Sequence, residues 1–148
     1  MAIEIENVMI IKLLIKKSSG GDLNIPSCYK HTPLVFAIYV CNFEIAELLI
    51  NSGANVNQED DKGYTPLTMA ILKENAEIMQ LLTRHGADLN LIDSKGWTPL
   101  TFAISKENLR TVKALKDLGA NVNQENGGGW TPLAQAISKG NPDIVAYL

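Results

Sequence analysis

The chain has 148 residues, 46% hydrophobic and 20% charged, and 13 basic against 16 acidic side chains leave a net charge of −3. That length is ordinarily one domain, and the weak negative balance provides no overall field for a polyanion such as nucleic acid. Two cysteines, Cys28 and Cys41, match neither a disulfide framework nor a zinc site, which suits a reducing compartment.

The N-terminal residues Met1-Ala2-Ile3-Glu4-Ile5-Glu6 are acidic where a signal peptide is basic, and the apolar run Val8 to Ile15 is broken by Lys12. That run is too short to span a bilayer. A soluble, cytoplasmic protein is expected, with secretion into a host cell left open. Val8, Ile11, Leu14 and Ile15 fall on one helical face, so residues 1–24 read as the tail of a unit that caps one end of a stack.

Two motifs then recur at one step. Thr-Pro-Leu begins at Thr32, Thr65, Thr98 and Thr131, at intervals of 33 residues. Gly-Gly-Asp-Leu-Asn at Gly20 is echoed by Gly53-Ala54-Asn55-Val56-Asn57, Gly86-Ala87-Asp88-Leu89-Asn90 and Gly119-Ala120-Asn121-Val122-Asn123 at the same interval. A shared period of this length marks a repeat protein whose core runs along the stack.

The backbone chemistry of each repeat predicts its shape. Pro has a fixed φ and no N–H, which suits the first position of a helix, and the Thr before it can cap the orphan N–H groups. Gly63, Gly96 and Gly129 permit a turn with positive φ just before. In the unit spanning 27–59, helix one starts at Thr32-Pro33 and turns Leu34, Ala37 and Ile38 inward. Asn42 marks the turn, and helix two carries Ile45, Leu48 and Leu49 before Gly53 ends it. Units 60–92 and 93–125 repeat the scheme, with Ala70, Ile71, Ile78, Leu81 and Leu82 in one and Ala103, Ile104, Val112 and Leu115 in the other. A partial unit, 126–148, stops midway through helix two, which reads as truncation.

This pattern, with Thr-Pro-Leu-x-x-Ala and Gly-Ala-x-x-Asn, resembles the ankyrin repeat over the whole chain. The resemblance implies an all-α solenoid: one domain of stacked helix-turn-helix units joined by long β-turn or hairpin-like connections. It also implies a non-catalytic module that binds a partner protein or peptide on the concave face. One departure stands out. The family carries His after Thr-Pro-Leu, where this chain has Val35, Thr68, Thr101 and Ala134, so the outer units are expected to be less well anchored. Thr111 and Ala114 replace the larger residues of other units, which predicts the weakest packing around helix two of residues 93–125.

Positions free to vary between units are the binding candidates. One column is His31, Tyr64, Trp97 and Trp130, with Tyr29 nearby; another is Val40, Lys73, Lys106 and Lys139, beside Tyr39 and Leu72. Turn tips add Asp61, Lys62 and Lys95. Each column also has a plain structural reading, as rings shielding turns and as solvated lysines at helix ends. Side by side, the rows suit an acidic, partly apolar peptide or protein face. The alternatives are single-stranded nucleic-acid binding through the Trp and Lys columns, and a regulatory fragment of a larger effector or enzyme. No cofactor, metal or membrane partner is expected, and the chain is expected to be monomeric. Cys28, His31 and Cys41 lack a clear fourth ligand, and Gly127-Gly128-Gly129 lacks the Lys-Ser/Thr of a phosphate loop.

Overall fold

The computed structural model describes residues 22–24 and 30–148. The expected N-terminal cap helix, Cys28 and Tyr29 lie outside the described residues. A short 3-10 turn at Asp22–Asn24 precedes eight helices: α1 (Pro33–Tyr39), α2 (Phe43–Asn51), α3 (Pro66–Leu72), α4 (Ala76–Arg84), α5 (Pro99–Ser105), α6 (Leu109–Asp117), α7 (Pro132–Lys139) and α8 (Pro142–Tyr147). No strand occurs among the described residues. The protein is an all-α solenoid of helix pairs.

The first helix of every pair starts in the same way. Thr32, Thr65, Thr98 and Thr131 stay extended, and each Oγ1 accepts the backbone N–H three residues on, at 3.1–3.2 Å. Proline follows, where no helical donor is needed. Each pair then reverses through one residue at positive φ: Cys41, Glu74, Glu107 and Gly140, at 54–68°. Directly after it, Asn42, Asn75, Asn108 and Asn141 cap the second helix, each Oδ1 accepting an N–H at 3.0–3.1 Å.

The apolar faces made by these starts bury one another. Leu34, Leu67 and Leu100 are buried at one register position, Ile38, Ile71 and Ile104 at the next, and Leu49, Leu82 and Leu115 on the second helices. Ala37, Ala70, Ala103 and Ala136 are buried where neighbouring first helices meet, and a larger side chain there would hold the helices apart. Consecutive first helices pack directly, α1 on α3, α3 on α5 and α5 on α7, whereas the second helices touch less. The contacts along the stack are therefore made mainly by its first helices.

The position after Thr-Pro-Leu divides the pairs. Thr68 and Thr101 complete reciprocal capping boxes: their Oγ1 atoms accept the N–H of Thr65 and Thr98 at 2.8 and 3.0 Å. Val35 and Ala134 leave only the Thr32 and Thr131 half, although Val35 is fully buried. The ties between pairs come from elsewhere, from a ladder of asparagines on the long connections. Asn24 Oδ1 accepts from Asn55 N–H (2.7 Å), Asn57 from Asp88 (2.8 Å) and Asn90 from Asn121 (2.9 Å).

Thr111 sits 3% exposed in the slot that Ile45, Ile78 and Ile144 fill in the other pairs. Replacing it with the isoleucine of its neighbours restores a buried carbon and removes a hydroxyl from the core. Thr111→Ile is expected to raise unfolding free energy by about 1 kcal/mol, measured by urea denaturation at unchanged m-value. A loss of stability would show that the slot has closed around the smaller side chain.

Candidate functional site

The connection tips carry most of the candidate residues, and one side-chain oxygen shapes each tip. Asp60 Oδ1 accepts from the N–H groups of Lys62 (2.9 Å) and Tyr64 (2.8 Å). Asp93 does the same for Lys95 (3.0 Å) and Trp97 (2.8 Å), and Asn126 for Gly128 (2.9 Å) and Trp130 (3.0 Å). Backbone bonds between the same residues close each turn, from Asp60 N–H to the Tyr64 carbonyl at 3.0 Å and from Gly63 N–H to the Asp60 carbonyl at 2.9 Å. This fixes where Tyr64, Trp97 and Trp130 leave the backbone.

Successive tips touch. Asp61 N–H donates to the Lys30 carbonyl at 3.0 Å, and Gly127 N–H donates to the Gly96 carbonyl at 2.8 Å. At the middle tip Ser94 N–H instead donates to Glu59 Oε1 at 2.9 Å. Gly127 lies so close to its neighbour that a Cβ there would meet Gly96 Cα at 2.9 Å, so only glycine fits. The result is a shallow open groove lined by Lys95, Trp97, Gly127 and Gly128.

Two clusters form on this face. In the first, His31 is stacked on Tyr39 with ring centroids 5.6 Å apart, and Lys73 Nζ lies 3.9 Å above the Tyr39 ring. His31 Nδ1 is 2.5 Å from Asp60 Oδ2, and Lys62 Nζ is 3.2 Å from His31 Nε2. In the second, Lys95 Nζ covers the Tyr64 ring at 3.8 Å, Tyr64 and Trp97 both meet Phe102 edge-on, and Lys106 Nζ stands 5.2 Å from the Phe102 centroid.

Access differs between them. Tyr39 (46% exposed), Leu72 (37%) and Trp130 (47%) face solvent, as do Asp61, Lys62, Lys95, Lys106 and Lys139. Tyr64, Trp97 and Lys73 are half-buried, and His31 is 5% exposed. The histidine is thus a buried support beneath Lys62. Trp130 and Lys139 join neither cluster. Phe36 and Phe102 contribute rings that the column reading passed over, although both occupy one register position with Met69 between them. No group of three or more His, Cys, Asp or Glu among the described residues is placed to hold a metal ion.

Lys62, Lys73, Lys95, Lys106 and Lys139 lie along the tips and first-helix ends, and Asp60 and Asp93 are buried in the turns; Asp61 and Glu125 are exposed acids at the tips, and Glu74 and Glu107 are exposed beside Lys73 and Lys106. Burial pushes the Asp93 carboxyl above its ordinary value of 3.8; hydrogen bonds from Trp97 and Lys95 oppose this, Glu59 adds to it, and the Lys95 charge opposes it.

A family model described as ankyrin repeats matches this chain three times, over residues 1–93, 52–126 and 73–148. No curated protein matches it. Among the described residues, no helix is long and apolar enough to cross a membrane.

Asp93 yields a pH prediction. Well below 3.8 the carboxyl is protonated in folded and unfolded chains alike, and its burial carries no charge penalty. Between that value and the raised folded one, the folded chain retains a proton that the unfolded chain has released, so stability falls as pH rises and the cost persists above. Asparagine, as at 126, keeps the acceptor without the charge. Asp93→Asn is expected to be more stable than the parent at neutral pH, with the difference vanishing near about pH 3, by urea denaturation across pH. Lower stability at neutral pH would mean the carboxylate charge holds the turn.

Proposed function

Because this chain belongs to the ankyrin-repeat family, whose units generally serve as protein–protein interaction modules, we propose that it is a non-catalytic module recognising an acidic, partly apolar segment of a partner protein. The segment lies along the tips and first helices. The observation that carries this reading is the pairing of ammonium and ring on one face: Lys73 on Tyr39, Lys95 on Tyr64 and Lys106 by Phe102.

Such pairs suit carboxylates for a physical reason. An exposed lysine that binds a carboxylate must first give up rotamer freedom, and this cost cancels most of the gain in surface ion pairs. A lysine already laid across an aromatic ring has given up part of that freedom before the partner arrives. The ring edges and Leu72 then offer apolar contact beside the charge. Tyr39, Tyr64, Leu72, Lys73, Lys95, Trp97 and Lys106 are the central contacts, with Trp130 and Lys139 extending the surface.

Single-stranded nucleic acid fits less well. Base stacking needs a row of uncovered ring faces; lysines lie over Tyr39 and Tyr64, Trp130 is exposed whereas Trp97 is half-buried, and the net charge is −3.

With the partner identified by cross-linking and mass spectrometry, changing Lys73, Lys106 and Lys139 together to Glu is expected to weaken binding by roughly 10- to 100-fold. Wild-type affinity should also drop as salt rises from about 50 to 300 mM, because exposed charges are screened. Calorimetry reads both. Unchanged affinity in the triple variant would move the binding surface elsewhere.

A further inference from the structure

We propose that Lys62 is a selectively nucleophilic amine, an acylation site whose proton is taken by the Asp60–His31 pair. The assignment follows from donors and acceptors. Asp60 is buried, and its Oδ1 is committed to the Lys62 and Tyr64 N–H groups. Its Oδ2 meets His31 Nδ1 in a buried pair. A carboxylate only accepts, so Nδ1 carries the hydrogen, and a ring with one N–H then has its lone pair at Nε2. The group facing that lone pair is the Lys62 ammonium, at 3.2 Å.

Proton transfer along this bond leaves a neutral amine on the exposed Lys62 and places the positive charge on the imidazole, directly against a buried carboxylate. A buried carboxylate holding the far nitrogen of an imidazole is the arrangement that lets histidine act as a base. Other charges near the ring are few: Lys73 sits over Tyr39, which stacks on His31, and Asp61 adjoins Lys62 at the exposed tip.

The co-reactant is an activated acyl donor, of which a thioester is the simplest class. The Lys62 nitrogen attacks the acyl carbon, an N–C bond forms and the C–S bond breaks. The ammonium loses two protons: one reaches the departing thiolate through His31, and the other goes to solvent. The products are an amide and a thiol. Acylation removes one positive charge from the tip, and the acylation test needs no binding partner.

The repeat supplies its own control. Lys95 stands 33 residues on, at the same register position of the next tip, with the Tyr64 ring beneath its Nζ in place of the histidine. The full chain is treated with a limiting amount of a small acetyl thioester near neutral pH, and site rates are read by peptide mass spectrometry. Lys62 is expected to acetylate roughly ten-fold faster than Lys95, well short of a fully aligned enzymic base. His31→Tyr, which installs the residue found at 64, should bring the ratio near one. Asp60→Asn, which keeps the acceptor for the turn as Asn126 does, should lower it as well. A ratio near one in the wild-type chain overturns the assignment however the variants fold. A high ratio that survives both substitutions also overturns it.

Discussion

Asp60, Asp93 and Asn126 each give one side-chain oxygen to two backbone N–H groups, and the geometry of the three connection tips follows from that bond pair. Helices can satisfy their own backbone, but a long connection cannot, and every amide it turns away from water must find a partner. Here the partner is always two and four residues behind the amide it serves. That arrangement turns part of each 14-residue connection (52–65, 85–98 and 118–131), of a length that is often irregular, into a repeated projection with a fixed exit direction for the next side chain.

The consequence reaches the aromatic and lysine side chains through packing. Since Tyr64 and Trp97 leave their tips at equivalent places, both can meet Phe102, and the lysines beside them find a ring within reach. The asparagine ladder from Asn24 to Asn121 holds the other end of the connections in step. Tips and ladder thus set the spacing of the charged and aromatic groups, whereas Leu, Ile and Ala contacts between helices hold the stack together. Tip geometry and core packing are carried by different atoms in each repeat. In the same way Asp93 accepts two backbone hydrogen bonds in the turn while burial raises its carboxyl above the ordinary value.

Much of the fold was legible because its causes are local and periodic. Thr32-Pro33 and its three copies mark helix starts, Asn42 marks a reversal, and Leu34, Ala37 and Ile38 turn inward as their spacing requires. What escaped was contact across repeats. The burial of His31 depends on Asp60, 29 residues away, and nothing in the run around His31 announces that partner. Phe102 escaped because the columns were read along the tips, while its ring reaches them from α5. The acceptors themselves were within reach: Asp60, Asp93 and Asn126 stand 33 residues apart, each three residues before a glycine. Long lysine side chains were the least legible of all, since a register position fixes the Cβ and leaves four further bonds free.

Amide hydrogen–deuterium exchange tests most directly whether side-chain oxygens hold the tips. The Tyr64 and Trp97 amides, which donate to Asp60 and Asp93 at 2.8 Å, are expected to exchange at rates comparable to helix-interior amides such as Ala70 and Ala103. Exchange of Tyr64 and Trp97 at the rate of open loops, with the helices still protected, would contradict the account.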